Sequence, residues 1–193
     1  MSRGRRPKAD AVSGDEVARI ALDQFATRGY ASTTIRSVAS AAGVDPALVM
    51  YHHRSKLELF RAAVRMRFDP AAVAAELADG DPAAVGRRLI DFLLAAWEDP
   101  QQRKVFEARI RAAATEPEAA TMVRAMVADE LVAPLVRLLG SDRPELRAGL
   151  VSTQLMGYVV ARWLVGIEAL AQPARDAAAI LAPTLQRYLV EPL

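Results

Sequence analysis

Apolar residues recur every three or four positions along most of the chain, and no stretch alternates residue by residue as a half-buried strand would. The first apolar stripe consists of Val17, Ile20, Ala21 and Phe25. Ser13 and Glu16 stand before it with the spacing of a capping box, and Gly29 follows it as a residue that can adopt the left-handed conformation ending a helix. The pattern therefore predicts an all-α fold with a first helix over about residues 14–28.

Two short helices and a longer one are predicted next. Thr33 and Thr34 offer a cap for a helix of about two turns, which Gly43 ends. Asp45 and Pro46 form a second start signal, because Asp caps free N–H groups and Pro has none to lose, so a helix is expected over about 46–52. A further capping box, Ser55 to Glu58, opens a helix expected to end near Asp69 and Pro70.

Two short helices joined by a glycine-containing turn and packed on a longer helix make a helix-turn-helix. Small Ala39 and Ala42 let the helices cross closely, Gly43 allows a positive φ, and Val44 fills the angle between them. Such a motif places its second helix in the major groove of DNA. The glycine-turn pattern also occurs in ordinary helical bundles, so the charge of the segment is needed to favour DNA binding.

The remaining chain predicts longer helices without a basic bias. The first is expected from Asp81-Pro82 as far as Asp99-Pro100, and the second around Phe106 to Ala113. The third is expected from a capping box at 115–118 to Gly140, with a kink at Pro134. The last two are expected over 144–170 and within 174–190, where Pro183 bends or divides the helix. This division predicts a flexible basic arm (1–12), a helix-turn-helix domain (13–54), a connecting helix (55–70) and a helical effector-binding and dimerisation domain (71–193).

The two C-terminal helices are predicted to form a subunit interface. One of them is apolar on most sides and carries small residues, namely Gly149, Ser152, Gly157, Ala161 and Gly166. A central core helix within one subunit is the alternative explanation. The charge-free run from Ala148 to Ala161 is shorter than the roughly 20 residues that a membrane helix needs, so no membrane partner is expected.

Charge is divided unevenly along the chain. Residues 1–68 carry 12 Lys and Arg against 6 Asp and Glu, whereas residues 69–193 carry 13 against 17. A basic first third favours a polyanionic partner, since each Lys or Arg near a phosphate releases counterions. A solvated basic face is the alternative explanation.

Several function classes have no support in the sequence. Cys is absent, and the two histidines, His52 and His53, are adjacent, which excludes thiolate nucleophiles and multi-His metal centres. No phosphate-binding loop or Gly-x-Ser-x-Gly motif occurs. We therefore expect no enzyme, no cofactor and no metal. The basic start at residues 2–8 has no apolar stretch behind it, as a signal peptide would, so a cytoplasmic location is expected.

The stretch from Phe25 to Phe60 resembles the DNA-binding domain of TetR-family bacterial transcriptional regulators. The matching residues are Phe25, Gly29-Tyr30, Thr33-Thr34, Ala39, Ala42-Gly43-Val44, His52, Ser55-Lys56 and Leu59. The segment from Asp79 to Leu189 resembles an actinobacterial type of TetR C-terminal domain through ADGDPAAVGRRL, RAAATEPEAA and APTLQRYL. The resemblance implies a homodimer that binds a palindromic double-stranded DNA operator and responds to a small-molecule effector, as a repressor. A non-specific architectural DNA-binding protein is the alternative function.

Two positions depart from the family pattern. Met50 stands where the family usually has an aromatic residue, most often Tyr, and His53 stands where it has Phe. Met50 cannot donate a hydrogen bond to a phosphate as Tyr can, so the neighbouring Tyr51 is the expected substitute. His53 is expected either at the surface or in the core with its ring nitrogens bonded.

The predicted DNA contacts lie in the helix-turn-helix and in the arm. They are Thr34, Arg36, Pro46, Ala47, Met50, Tyr51, His52 and Lys56, with Arg3, Arg5 and Arg6 in the arm beside Lys8. Caps, amides and basic groups at helix starts bind phosphates, and small side chains at the start of the recognition helix allow close approach to bases. The alternatives are a plain N-cap, solvated arginines, helix packing and an unstructured tail.

Candidates for effector binding in the second domain are chosen by residue type alone. They are Trp97, Phe106, Arg109, Met122, Met126, Gln154, Tyr158 and Trp163. Ordinary core packing is the alternative for each aromatic residue and methionine. Arg109 and Gln154 would be informative if buried, because a buried polar group without a partner is costly.

Overall fold

The computed structural model describes residues 12–66 and 68–193, apart from the side chains of residues 126–128, and all regular elements in this part of the chain are helical. The N-terminal helices are α1 (Gly14–Ser32), α2 (Ile35–Ala42), α3 (Pro46–His53) and α4 (Lys56–Ala63). The others are α5 (Pro70–Ala78), α6 (Val85–Glu98), α7 (Pro100–Thr115), α8 (Pro117–Arg124), α9 (Ala133–Leu138), α10 (Pro144–Val159) and α11 (Ala174–Val190). The predicted all-α fold is confirmed. The arm with Arg3, Arg5 and Arg6 lies outside the described residues.

The first helix changes direction at the predicted glycine. Gly29 has φ 79° and ψ 170°, which is outside helical geometry, and one more helical turn follows it before Thr33. At the start of α1, Ser13 Oγ accepts a hydrogen bond from Glu16 N at 3.2 Å. The Glu16 carboxylate pairs with Arg19 instead of returning to the Ser13 amide, so only half of the predicted capping box forms.

Two apolar cores hold the chain together. One contains the buried residues of α1 to α4, and α7 and α8 extend it with Val105, Ala108, Ala112, Ala119, Met122 and Val123. The other lies among α5, α6, α9, α10 and α11. Helices α1 to α4 thus share a core with two helices of the C-terminal part.

The closest helix contact in the second core is between α6 and α11. A Cβ atom at Gly86 would lie 2.5 Å from Gln186 N and 2.7 Å from Ala182 O. Gly86 N donates to Gln186 Oε1 at 2.8 Å, and Gln186 Nε2 donates to Pro82 O at 2.7 Å. Glycine is therefore required at this crossing by the proximity of the neighbouring backbone.

The predicted connecting helix over 55–70 is shorter than expected. It ends at Ala63, and Asp69 accepts a hydrogen bond from Ala71 N at 3.0 Å to start α5 at Pro70. The Asp-Pro pair is therefore the start signal of a new helix, the same role that Asp45-Pro46 has.

The predicted capping box over 115–118 is wrong. The preceding helix continues to Thr115, whose hydroxyl donates to Arg111 O at 3.2 Å, and α8 starts at Pro117 without a side-chain cap. A π-helical segment, Ala125–Val132, precedes α9 and Pro134. The regular α geometry is therefore interrupted ahead of Pro134, whose backbone nitrogen has no hydrogen to donate to the helix.

The last two helices also differ from their predicted limits. The helix expected over 144–170 ends at Val159, where a π turn (Val160–Leu164) follows, and Gly166 then has φ 76°. Helix α11 continues through Pro183 without division. None of the helices described is both long and apolar enough to cross a bilayer.

Candidate functional site

The turn between α2 and α3 has the hydrogen bonds that the sequence predicts. Thr34 Oγ1 accepts from Ser37 N at 3.1 Å at the start of α2. Gly43 ends that helix in the left-handed conformation, with φ 66° and ψ 29°. Asp45 Oδ1 then accepts from Ala47 N at 2.7 Å and caps α3. These local bonds fix the angle between the two helices.

Helix α2 is attached to α1 through a buried glutamine that the sequence analysis missed. Gln24 is 8% exposed, donates to Ser37 O at 3.0 Å and accepts from Ser37 Oγ at 2.7 Å. A polar residue beside Phe25 within an apolar stripe was the available signal. The Ser37 hydroxyl also accepts from Thr34 N at 3.1 Å, so the start of α2 and its attachment to α1 share one side chain.

Helix α4 packs on α1 through three aromatic rings. The Phe60 ring meets Phe25 edge-on at a centroid distance of 4.9 Å and Tyr30 at 5.2 Å. Lys56 Nζ lies 4.3 Å from the centre of the Tyr30 ring and donates to Ala31 O at 3.1 Å. Partial burial lowers the pKa of Lys56. This lysine therefore joins the start of α4 to the end of α1, and its predicted contact with a phosphate stays a prediction.

The two faces of α3 differ sharply in exposure. Val49 is fully buried, whereas Met50 is 42% and Tyr51 is 79% exposed. The exposed positions of α2 and α3 include the predicted DNA contacts Thr34, Arg36, Pro46, Ala47, Met50, Tyr51 and His52. These seven exposed residues on two consecutive helices are called the α3 face below.

The end of α3 resolves the open question about His53. This residue is half-buried, and its Nε2 atom lies 3.0 Å from Gly14 O, within hydrogen-bonding distance. His52 packs against the same glycine on α1. Arg54 follows with φ 52° and is exposed, so it is a further basic group beside the α3 face that the sequence analysis did not select.

An apolar cavity of about 50 Å³ lies in the C-terminal part. Its lining residues are Met66, Leu93, Trp97, Phe106, Arg109, Ile110, Val123, Leu131, Val132, Leu155, Met156 and Val159. Three predicted effector contacts are therefore brought together there, namely Trp97, Phe106 and Arg109.

The other predicted effector residues do not line this cavity. Tyr158 and Trp163 pack around Trp97, with ring centroids 6.3 Å and 5.8 Å from it. Met122 is buried in the core that α1 to α4 share with α7 and α8, and Gln154 is half-buried on α10. The side chain of Met126 lies outside the described residues. In the part of the chain described, no cluster of three or more His, Asp or Glu side chains could hold a metal ion.

Arg109 is the most deeply buried charged residue described. It is 1% exposed and donates to Val64 O through Nε at 3.0 Å and through Nη2 at 2.5 Å. Burial lowers the pKa of Arg109 to about 10, so the guanidinium is still charged at neutral pH. Its Nη1 atom and Trp97 Nε1 are buried without a hydrogen-bond partner. Two residues that line the cavity thus each keep one unused N–H donor.

Helices α10 and α11 leave an apolar surface uncovered. Leu146 is 48% and Ile180 is 70% exposed, and a Cβ atom at Gly149 or Gly157 would meet no other atom within 4 Å. Two other members of the predicted small-residue stripe are placed differently. Ser152 faces inward at 6% exposure, and Gly166 serves the backbone turn after the helix.

Comparisons with known proteins agree with this architecture. Residues 18–63 match the model described as "Bacterial regulatory proteins, tetR family", and residues 83–189 match "Tetracyclin repressor-like, C-terminal domain". A comparison with curated protein sequences found no match.

Solved structures of similar fold cover nearly the whole chain. A TetR-family regulator from Streptomyces coelicolor A3 is 27% identical with a TM-score of 0.62, covering 97% of this chain and 99% of its own. NalD of Pseudomonas aeruginosa is 22% identical with a TM-score of 0.72, covering 96% and 100%. SmeT, solved as a complex with triclosan, is 20% identical with a TM-score of 0.67, covering 91% and 90%. With the C-terminal model alone spanning more than half of its residues, the chain belongs to the TetR family of bacterial transcriptional regulators.

Proposed function

We propose that this protein is a homodimeric repressor that binds a palindromic operator through the α3 face and releases it when a small molecule occupies the C-terminal domain. The observation that carries the proposal is the division of α3 into a buried inner side, anchored by Val49, and an exposed outer side with Pro46, Ala47 and Tyr51. A helix held in this way can enter the major groove with its N-terminal end.

The chemistry of the α3 face suits a DNA contact. Pro46 and Ala47 are small enough to allow close approach to bases, and Tyr51 can donate its phenolic hydrogen to a phosphate. Arg36 and Arg54 add exposed positive charge from either side of the turn. Thr34 presents the start of α2, where free N–H groups favour an anion.

Dimerisation is supported by the uncovered surface of α10 and α11. Exposed Leu146, Gly149, Thr153 and Gly157 follow one another along α10 at helical spacing, and Ile180 is exposed on the adjacent α11. The small residues would let two copies of the helices approach closely around a two-fold axis. The same axis would present two α3 faces to two half-sites about 34–36 Å apart.

The solved relatives agree with regulation by repression and by a small molecule. NalD is described as the secondary repressor of a multidrug efflux pump, and SmeT was solved with triclosan bound. In this chain the cavity beside Trp97 and Arg109 is the proposed effector position.

Fluorescence anisotropy with palindromic DNA from the gene's own upstream region tests the DNA-binding part. We expect Tyr51→Ala and Arg36→Ala each to weaken operator binding about five-fold or more, since a lost base or phosphate contact has an effect of this order. Arg111→Ala, an exposed arginine of α7, is the matched control and should bind as the unsubstituted protein does. Equal affinity for operator and shuffled DNA at two salt concentrations would favour the non-specific architectural function instead.

Light scattering during size-exclusion chromatography tests the dimer. We expect the unsubstituted chain to elute as a dimer and Ile180→Lys to shift it towards a monomer, because a charge in an apolar interface must be desolvated. Arg111→Glu serves as a charge-changing control outside the α10 and α11 surface. A dimer that tolerates Ile180→Lys would place the interface elsewhere.

A further inference from the structure

The cavity beside α7 has donors without acceptors. Arg109 Nη1 and Trp97 Nε1 are buried with no partner, although the two residues are only 1% and 2% exposed. Buried polar groups in folded proteins are nearly always hydrogen-bonded, so two unused N–H groups on one cavity wall indicate a missing acceptor. Arginine and the tryptophan indole can donate but cannot accept, which restricts the group that satisfies them.

The charge around the cavity favours an anion. The guanidinium of Arg109 is positive, and no Asp or Glu lines the cavity. The acidic residue whose charge acts on it, Glu130, is exposed and belongs to a different surface depression. The hydrogen bonds of this buried cation go to one backbone carbonyl, Val64 O. Arg109 can therefore still donate charge-assisted hydrogen bonds to a carboxylate.

The rest of the cavity wall favours a ligand whose main part is apolar. Apart from Arg109 and Trp97 Nε1, the lining consists of aliphatic, methionine and aromatic side chains. Phe106 meets Trp97 edge-on at 5.4 Å, and Tyr158 and Trp163 support the same indole from behind. An aromatic ring fits such a wall, because ring edges and faces pair favourably at these distances.

The cavity is too small for such a ligand as it stands. Its volume is about 50 Å³, whereas a cavity that holds benzene measures about 150 Å³. Ligand entry therefore requires an expanded state. The flexible side chains of Met66 and Met156 on the wall can move aside, and the π-helical segment contributes Leu131 and Val132.

We infer that the effector of this regulator is a compact aromatic monoanion whose carboxylate accepts hydrogen bonds from Arg109 and Trp97. This inference rests on the proposed function, because it takes the cavity to be the effector site. It adds the chemical class of the ligand and the two groups that recognise it.

The same arginine gives the anion a route to the DNA-binding helices. Arg109 holds Val64 O at the end of α4 through two of its N–H groups. Each Nη atom carries two hydrogens, so a carboxylate can accept from Nη1 and from the second hydrogen of Nη2 while Val64 O keeps both of its bonds. A shift of Arg109 towards the bound anion would then pull on the end of α4 through these bonds.

Tryptophan fluorescence titration of the full-length protein tests the inference. The chain has two tryptophans, Trp97 on the cavity wall and Trp163 beside it, so binding reports directly. The probes are benzoate, naphthoate and biphenyl carboxylate, each compared with its neutral primary amide. At least one acid should bind about ten-fold or more tightly than its amide, and the same acid should lower operator affinity.

Two variants separate recognition from packing. Arg109→Met should remove the preference for the acid, while the exposed Arg111→Gln on the same helix should keep it. Trp97→Phe keeps an aromatic ring, removes the N–H and reduces the ring volume. It should weaken binding of the acid several-fold more than binding of the matching amide, and this comparison stands even if Arg109→Met does not fold. Circular dichroism checks the fold of each variant.

The outcomes distinguish this inference from the proposed function. Failure of all three acids to bind, equal binding of acids and amides, or an acid preference that survives in folded Arg109→Met would overturn the anionic effector. Operator binding without any acid preference would leave the repressor proposal standing alone. An acid preference in a protein that ignores operator DNA would refute the repressor proposal and keep the anion site.

Discussion

Truncation of Val49 to alanine tests the inner side of α3, the proposed recognition helix. Val49 is fully buried in the N-terminal core, while Leu48 beside it is half-buried and Met50 is exposed. The substitution removes two methyl groups, worth about 1.6 kcal/mol at about 0.8 kcal/mol for each buried group. The incompletely filled cavity adds about 1 kcal/mol. We therefore expect Val49→Ala to lower the free energy of unfolding by about 2–3 kcal/mol.

Urea unfolding followed by circular dichroism measures this loss. The protein concentration must be the same for all variants, because the stability of a dimer depends on it. Thermal unfolding should shift by about 4–12 °C, since 1 kcal/mol corresponds to about 2–4 °C for a chain of this size. Operator affinity measured at low temperature, where the variant is still folded, should fall less than it does for Tyr51→Ala.

Met50→Ala is the matched control on the outer side of the same helix. Met50 is 42% exposed, so its truncation should change the free energy of unfolding by less than about 0.5 kcal/mol. The two substitutions are neighbours in sequence but should differ several-fold in their effect on stability. If both variants unfold at the same urea concentration, α3 does not present the faces described above.

Three other regions give independent predictions. Gly86→Ala should lower the free energy of unfolding in urea by about 1–3 kcal/mol, because the added Cβ would lie 2.5 Å from Gln186 N and a backbone atom cannot rotate away. A free energy of unfolding equal to that of the unsubstituted protein would contradict the close contact of α6 and α11. Gln24→Leu should weaken operator binding while α3 remains folded, because Ser37 loses both hydrogen bonds to Gln24; a parallel titration that shows unchanged affinity would argue against this attachment. Hydrogen bonding to Arg147 lowers the pKa of Asp142 below its ordinary value of 3.8 in the folded protein. The ionised Asp142 therefore contributes fully to the free energy of unfolding above pH 3.8, and this contribution is lost as the pH falls through the folded-state pKa. Asp142→Asn should consequently make the free energy of unfolding, measured by urea unfolding at several pH values, fall less steeply towards acid pH.

The starts of the helices could be predicted because their signals are local. A cap such as Thr34 or Asp45 acts on an amide two or three residues ahead, and both hydrogen bonds are present as expected. Gly43 likewise adopts the left-handed conformation that its position predicts, whereas Gly29, with ψ 170°, interrupts α1 without ending it. These signals span at most four residues, although the capping box expected over 115–118 does not form.

The ends of helices were harder to predict because distant residues determine them. Helix α4 ends where Val64 O is taken by Arg109, which is 45 residues away along the chain. The sequence around Val64 contains no sign of this contact. The Asp69-Pro70 pair was consequently assigned to the end of one helix, although it starts the next.

Effector candidates could be chosen by residue type but not by direction. Trp97, Phe106 and Arg109 line the cavity, whereas Met122 packs into the other core. Met122 and Phe106 both belong to apolar helical stripes. The positions of α7 and α8 between the two cores determine which core each stripe faces. The periodicity of the sequence identifies an apolar stripe but does not tell which other helices it packs against.

The position of α7 between the two cores explains how one site can influence the other. Val105, Ala108 and Ala112 of α7 are buried against the N-terminal helices, and their small size allows close packing. Lys104 Nζ meets Asp23 Oδ1 of α1 at 2.7 Å, and Arg109 holds the end of α4. Phe106 and Ile110, from the same helix, line the cavity instead. If a ligand enlarges the cavity beyond what Met66 and Met156 can yield and displaces α7, this helix cannot keep its contacts with α1 and α4 unless these helices move with it.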